Sequence, residues 1–600
     1  MIASGPSIGE KAEFRSLEQR GFSLDIASVE PTPSRQSVRI EKLGREAEAP
    51  LAAVADSTVV MPPASDLVLQ SMIAAARNDL KRYPSNARVR ANLGAALLNG
   101  HAVNEAITVL SETSVTSPAD RPTSTLLAIA MNAAGRPDEA ERLFTLLRSE
   151  DPSDVVSVAG LAEAAMRRGA YAEANRYWEE VCRLRPDSSP AQFNRGVTLL
   201  LLGPENARAA LKALRAAARM DPRRAAFHQG LGVGYALAGD PTRAANAFLA
   251  ALHLDPSSVE ALGGLVKVLV DTGRPKEAAE VARRHADSMP DDIRPQEILA
   301  WALVSGRNIS GARTELFKAL RTLRRQPESP QDIGRVANNL GVCSALEGDW
   351  TEARRFFERS VSSAPSDSAV PYLNLATAHL QLQQRGHSRA VLEGAASLFP
   401  DNDVVVVLLS HIMAMEQRHD DIIELLSKWL SSGYSSPRVY ATLGVELCDQ
   451  VRRYPEAIRV LMEGTARYPS DDLLINNLAY AQLMAGETSA AAETLKAASR
   501  PDVETDVCLT ATRGLLLIRQ GFPTEGMTLY EEAAKKATNA GRSELASHAL
   551  QKMHLEIARF DLEDGSLPSG RSEIDLGLSI RPGRPSFIRD LEKLQEQAKG

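Results

Sequence analysis

Small and large apolar side chains recur along most of the chain with a long and regular period. Helical segments are closed by prolines at intervals of 34, 34, 34, 36, 34 and 34 residues, namely Pro84, Pro118, Pro152, Pro186, Pro222, Pro256 and Pro290. The same residue types recur if thirteen units begin at 87, 121, 155, 189, 225, 259, 293, 334, 369, 403, 437, 472 and 507. This period predicts stacked helix–turn–helix units, because one such unit is too short to bury its own apolar face.

Four positions of the unit carry most of the pattern. The seventh residue is leucine in eleven units, and the eighth is glycine, alanine or serine in all but one. The twentieth is alanine in ten units, if two inserted residues are allowed before Ala210 and one before Ala457. The twenty-fourth is large and apolar in most, as in Phe144, Trp178 and Phe248. We expect the small residues at positions 8 and 20 to let two helices approach closely while the large residue fills the space beside them. Overpacking such a contact costs about 1–3 kcal/mol.

From about residue 87 to 534, this pattern resembles the tetratricopeptide repeat (TPR) family. It is most similar to bacterial members of the family that contain many repeats. The resemblance implies an all-α fold, an α-solenoid forming a right-handed superhelix of about thirteen helix–turn–helix units. It also implies that the first helix of each unit lines a concave groove in which a protein or peptide partner binds.

A glycine-rich stretch, GLGVG, raises the alternative of a phosphate-binding loop. Its glycines are Gly230, Gly232 and Gly234, and Gly232 occupies the eighth position of its unit, where small residues recur. The dinucleotide fingerprint requires a strand before the glycines, and the sequence here is helical on both sides. We therefore interpret these glycines as helix-packing residues and predict no cofactor.

The repeat pattern divides the chain into five regions. Residues 1–64 are rich in serine, proline and charge, which predicts a disordered leader. Residues 65–327 form an N-terminal array with its own capping helix, and residues 328–536 form a C-terminal array; the boundary lies in a stretch where the spacing rises to 41. Residues 537–562 are predicted to be a capping helix and residues 563–600 a flexible tail.

Composition and motifs argue against several functional classes. A net charge of -7 from 69 basic and 76 acidic residues indicates neither nucleic-acid binding nor attraction to an anionic membrane, and no apolar run is long enough to insert directly into a bilayer. The four cysteines show no metal-binding spacing, and P-loop, zinc-protease and hydrolase motifs are absent, so no metal site and no enzyme activity are predicted. The start has no secretory signal, which favours a cytoplasmic protein.

Two basic clusters admit two interpretations. The first places Arg208, Lys212, Arg215 and Arg219 on one helix face, followed by Arg223 and Arg224. The second consists of Arg313, Lys318, Arg321, Arg324 and Arg325. Each is either a docking patch for an acidic partner or a solvated face that keeps the array soluble.

Asparagines on the first helices are the candidate peptide-binding residues. Position 6 is Asn92, Asn194, Asn339, Asn374 or Asn477 in five units, and Asn338 and Asn476 precede two of them. An asparagine amide can both donate to and accept from one peptide unit. The row is similar to the asparagine ladder of the TPR superhelix in O-GlcNAc transferases, which implies binding of a peptide backbone. Hydrogen bonding between repeats and simple solvation are the alternatives.

Taken together, these features predict a non-catalytic scaffold that binds a protein or extended peptide in the groove. The resemblance to bacterial TPR proteins narrows this to an accessory factor of pilus assembly, secretion or exopolysaccharide export. The alternative is a targeting or regulatory subunit of a glycosyltransferase-like or other enzyme complex. The sequence leaves homo-oligomerisation open.

Overall fold

A computed structural model describes residues 66–116, 120–325, 330–363, 368–499 and 502–598. All regular structure within these ranges is helical, and helices that follow one another within each compact part of the chain pack together, so the predicted all-α solenoid class is confirmed. Helices α2 to α27 correspond, in order, to two helices for each of the thirteen predicted units. We call the first helix of each pair its A helix and the second its B helix. The predicted leader, residues 1–64, lies outside the described residues.

The chain divides into two compact units between Glu347 and Gly348, whereas the sequence placed the boundary between residues 327 and 328. The helices of the first unit are α1 (Asp66–Arg82), α2 (Ala87–Asn99), α3 (Val103–Thr116), α4 (Arg121–Ala133), α5 (Pro137–Glu150), α6 (Val155–Arg167), α7 (Tyr171–Leu184), α8 (Ser189–Leu202), α9 (Ala207–Met220), α10 (Ala225–Leu237), α11 (Pro241–Leu254), α12 (Val259–Asp271), α13 (Pro275–Ser288), α14 (Ile293–Ser305), α15 (Ile309–Leu323) and α16 (Pro330–Leu346).

The helices of the second unit follow the same alternation, with three helices after the last predicted repeat. They are α17 (Trp350–Ser363), α18 (Val370–Gln381), α19 (Arg385–Leu398), α20 (Asp403–Met415), α21 (His419–Ser431), α22 (Pro437–Val445), α23 (Tyr454–Arg467), α24 (Asp472–Met484), α25 (Thr488–Lys496), α26 (Val503–Arg519), α27 (Pro523–Asn539), α28 (Ser543–Glu563), α29 (Leu567–Ser579) and α30 (Pro585–Gln597).

Local sequence sets where each helix begins and ends, as the pair α6 and α7 illustrates. The Asp154 side chain accepts a hydrogen bond of 3.2 Å from the Val156 amide and so caps α6. After α6 the chain turns at Gly169, whose φ of 72° suits a residue without Cβ. Pro152, in the turn before α6, lies just beyond the end of the preceding B helix, where a proline cannot continue a helix.

Close packing between hairpins explains the small residues of the repeat. Gly232 on α10 and Gly264 on α12 both contact the ring of Phe248, the large residue at position 24 of its unit. A Cβ at Gly232 would lie 2.7 Å from that ring, and one at Gly264 would lie 2.5 Å from it. Gly230, Gly232 and Gly234 are all buried within α10, which confirms that the GLGVG stretch belongs to a packed helix.

Three of the repeats that are longer than 34 residues place their extra residues in different ways. The unit of 36 residues that begins at 189 contains a short 3₁₀ helix, Pro204–Asn206, between α8 and α9. The unit of 35 residues that begins at 437 contains a π-helical turn, Glu446–Gln450, after α22. In the longest interval, α15 ends at Leu323 and α16 already begins at Pro330. An A helix is therefore extended there.

The prediction of a flexible tail at residues 563–600 is wrong, because most of that stretch forms α29 and α30. Ile574 on α29 and Phe587 and Leu591 on α30 are buried against the second half of α28. Gly570 and Gly577 are again contact residues: a Cβ on them would lie 2.9 Å from Leu562 and from Leu591, respectively. Residues 537–562, for which the sequence predicted a capping helix, contain most of α28, Ser543–Glu563.

Candidate binding surface on the A helices

The predicted peptide-binding asparagines fall into two groups of different accessibility. Asn92 on α2 is exposed, and Asn194 on α8 is half-buried. The other five are buried within α16, α18 and α24, namely Asn338, Asn339, Asn374, Asn476 and Asn477. A peptide reaches these five amides only where neighbouring side chains move aside. Their role in peptide binding stays a prediction.

Two of the buried pairs belong to polar networks inside the fold. On α24, the Asn476 amide donates to Asn477 Oδ1 over 3.2 Å, and Asn476 Oδ1 accepts a bond of 2.8 Å from the hydroxyl of Thr512 on α26. On α16, the Asn339 amide lies 3.5 Å from Glu297 Oε1 on α14. These contacts join successive A helices, which is the inter-repeat hydrogen bonding that the sequence left open as an alternative.

The best-defined polar cluster on the A helices of the first unit is the ion pair between Glu297 and Arg335. Glu297 is only 1% exposed, and its carboxylate accepts from Arg335 Nε at 2.9 and 3.1 Å and from Arg335 Nη2 at 2.8 Å. Arg335 also pairs with Asp332 on its own helix at 2.8 Å. Burial alone lowers the pKa of Arg335, but the charge and hydrogen bonds of Glu297 outweigh it and raise that pKa. The guanidinium is therefore permanently charged and fixed in orientation.

A cleft of about 440 Å³ opens beside this pair, at the N-terminal ends of α14 and α16. Apolar side chains from α14 and from the end of α15 and charged side chains from both A helices line it: Ile293, Leu323, Asp291, Asp292, Arg294, Asp332 and Arg335. Arg294 is exposed and pairs with Asp292 at 2.6 Å. Burial raises the pKa of Asp292, but the hydrogen bonds from Arg294 outweigh it, so that pKa is lowered.

The charge of this cleft follows from counting the groups around it. Asp291, Asp292, Asp332 and the neighbouring Glu297 supply four carboxylates, against the two guanidinium groups of Arg294 and Arg335. The excess is negative, and the exposed Asp291 carries no ion pair within the described residues. Such a cleft favours a basic side chain, with Ile293 and Leu323 available for an apolar neighbour.

Sequence reasoning missed Glu297, Arg335 and the cleft. The pair is separated by 38 residues, a spacing that exists only because the interval between these units is longer than the period. One signal was present: Glu297 is the only charged residue in the apolar run PQEILAWAL of α14. A carboxylate in such a run needs a cationic partner.

The A-helix side of the second unit is covered in part by the chain's own C-terminal helices. Arg584, just before α30, pairs at 2.7 Å with Asp449 in the π-helical turn, and Asp590 on α30 pairs with Arg452 and, at 3.0 Å, with Arg559. These contacts bridge up to 138 residues of sequence. This part of the surface is closed to a partner as long as α30 stays docked.

Models of two tetratricopeptide repeat families match the first unit, at residues 125–189 and 159–222 for one and at 235–302 for the other. Each match spans successive A and B helices of the hairpins described above. The chain is a tetratricopeptide repeat protein. TPR repeats are protein-interaction modules and are generally non-catalytic.

Comparisons of whole structures add little to this identification. A TPR protein from Thermus thermophilus is 24% identical over 31% of this chain and 99% of its own, with a TM-score of 0.27. A TPR protein from Parabacteroides merdae is 16% identical over 42% of this chain and 95% of its own, with a TM-score of 0.34. A chain of the Cut9–Hcn1 hetero-tetramer is 15% identical over 81% of this chain and 98% of its own, with a TM-score of 0.32. TM-scores this low carry no argument, and no curated protein sequence matches the chain.

Two further observations concern the described residues of this TPR protein. None of their helices combines the length and apolar character that crossing a bilayer requires. Among the same residues, no cluster of three or more histidine, cysteine, aspartate or glutamate side chains is arranged to hold a metal ion.

Proposed function

We propose that this TPR protein is a protein-interaction scaffold and that the cleft at the N-terminal ends of α14 and α16 receives a short segment of a partner. The observation that carries the proposal is the cleft itself, which combines a fixed arginine, an exposed arginine and excess carboxylates beside two apolar side chains. Binding to such a site requires a preformed shape and a few anchoring contacts rather than catalytic groups. The anchor we expect is a lysine or arginine next to an apolar residue.

Peptide selection tests this proposal. Peptides selected from a random display library on the intact chain are expected to be enriched in lysine or arginine. Asp291→Asn is expected to weaken binding of the selected peptides by up to about fivefold, because an exposed ion pair contributes up to about 1 kcal/mol. Asp138→Asn, which neutralises an exposed carboxylate on α5, is the control and is expected to change affinity by less than about twofold. Fluorescence anisotropy measures both.

Two results contradict the proposal. One is a pool of selected peptides that contains no group enriched in lysine or arginine. The other is an equal loss of affinity in the two variants, which indicates a response to net charge rather than to the cleft.

Three narrower proposals rest on the sequence analysis. The partner is a component of a pilus-assembly, secretion or exopolysaccharide-export machine, and the protein acts in the cytoplasm. In addition, Asn92 and Asn194, the two accessible asparagines, contact the backbone of a bound segment on the A helices. Cross-linking in the source cell tests the first proposal: captured partners outside envelope assembly contradict it.

A further inference from the structure

Helix α9 carries a row of four cations that lie on one exposed face. Arg208, Lys212, Arg215 and Arg219 follow one another at intervals of four, three and four residues, and all four are exposed. These intervals bring side chains to one side of a helix, over an axial length of about 16 Å. We call this row the α9 basic stripe.

The pairing of cations with carboxylates varies along the first unit. Some arginines are paired, such as Arg195 with Glu179 at 2.7 Å and Arg274 with Glu277 at 2.6 Å. Within the described residues, no member of the stripe forms an ion pair. Helix α9 itself contains no aspartate or glutamate. Ordinary surface pairing therefore does not explain the stripe.

The surroundings strengthen the positive field. Residues 207–254 contain seven lysines and arginines against two aspartates, in a chain whose net charge is -7. One cation is also held in place. Arg215 Nε donates to the Tyr235 hydroxyl over 3.0 Å, and its guanidinium lies 5.2 Å from the centre of that ring. An ordered cation loses less conformational entropy on binding than a free one.

We propose that the α9 basic stripe is a second docking surface, which binds an acidic segment of a partner protein. Carboxylates on every second residue of an extended segment lie about 7 Å apart, and the cations of α9 follow one another at about 5.4 Å per turn, a difference that long arginine and lysine side chains can span. The positive field is local. At physiological salt it is screened within about 8 Å, so a short acidic segment meets the stripe alone, whereas a long polyanion also meets the negative remainder of the chain.

A titration with a defined probe tests the stripe. The intact chain is titrated against a fluorescein-labelled peptide of alternating glutamate and serine. The variant Arg208→Gln/Lys212→Gln/Arg215→Gln/Arg219→Gln is expected to bind the peptide at least about tenfold more weakly, and wild-type binding is expected to weaken as salt rises. The control variant Arg136→Gln/Arg274→Gln/Arg418→Gln/Lys496→Gln changes the net charge equally at cations that already have partners. It is expected to bind within about twofold of wild type.

The same titration with labelled single-stranded DNA and with vesicles containing phosphatidylserine separates the possible sources of negative charge. Two results together support the proposal. The stripe variant binds the peptide more weakly than wild type whereas the control variant does not, and wild type binds DNA and vesicles more weakly than it binds the peptide. Absent peptide binding, equal loss in both variants, or preference of wild type for DNA or vesicles overturns it. Lys212→Glu alone provides a check with a single exposed change, and an unaltered affinity in that variant also counts against the stripe.

Discussion

Replacing Glu556 by glutamine is expected to destabilise the second compact unit by about 3–5 kcal/mol, because the change leaves buried cations without their counter-charge. Glu556 on α28 is 1% exposed and accepts hydrogen bonds from Lys552 at 2.8 Å, Arg559 at 2.6 Å and Arg519 at 2.7 Å. Lys552 is itself 1% exposed. Its ammonium group lies 5.4 Å from the centre of the Tyr480 ring and 5.2 Å from that of Phe587.

Denaturant unfolding followed by circular dichroism measures this effect. Glu493→Gln removes one partner of a fully solvated pair with Lys496, and we expect it to change the free energy of unfolding by less than about 0.5 kcal/mol. A loss below about 1 kcal/mol in Glu556→Gln would show that the buried cations find other partners. The double change Lys552→Met/Glu556→Gln is expected to recover much of the loss, since it removes the stranded charge together with its partner.

The same carboxylate makes stability depend on pH. Burial raises the pKa of Glu556, but the charges of Lys552, Arg559 and Arg519 outweigh it and lower that pKa from the ordinary 4.5 to about 2. Because the folded state holds the carboxylate ionised, its contribution is complete above pH 4.5 and is lost as the pH falls towards 2. We expect wild type to lose stability more steeply than Glu556→Gln over this range.

Replacing Phe248 by alanine is expected to cost about 3–5 kcal/mol, because it empties the space between two neighbouring hairpins. The ring contacts Gly232 of its own hairpin and Gly264 of the next, so a single side chain closes both gaps. Gly232→Ala is a smaller test of the same contact. The added methyl group would lie 2.7 Å from that ring, so the ring or the helix has to shift, and we expect a cost of about 1–3 kcal/mol.

Gly394→Ala is the matched control for this contact, because it makes the same change at an interior helix position where a Cβ meets nothing within 4 Å. Alanine is the better helix former, so this variant is expected to gain about 0.5–1 kcal/mol. Opposite signs in thermal unfolding at Gly232 and Gly394 are the expected outcome. The same sign at both positions would mean that helix propensity rather than packing selects the small residues.

Periodicity predicted the helix pairs because their packing is repeated, and repeated constraints leave the same residue type at the same position. Gly232 and Phe248 were assigned to a packed contact on this basis, and the structure has them in contact. The inserted residues near 204 and 450 were also visible as departures from the period. One residue alone says little about the role of its position in the repeat, but the same residue type recurring across thirteen aligned repeats identifies a packing position.

Features that occur once were not predictable in this way. The pairing of Glu297 with Arg335 depends on one lengthened interval between repeats. The docking of α30 depends on contacts between residues far apart in the sequence, such as Arg584 and Asp449, which are separated by 135 residues. The burial of Asn339 and Asn477 was missed for a related reason. Their position was taken from a family in which it faces the groove, whereas neighbouring helices cover these side chains here.

The central claim is that this protein is a stack of hairpins, each held by its neighbours, rather than a globule around one core. Hydrogen exchange followed by mass spectrometry on Phe248→Ala tests it most directly. Stability in such a stack is a sum of nearest-neighbour terms, so faster exchange is predicted for α8 to α13 and unchanged exchange for the second compact unit. A uniform rise in exchange along the whole chain would contradict the account.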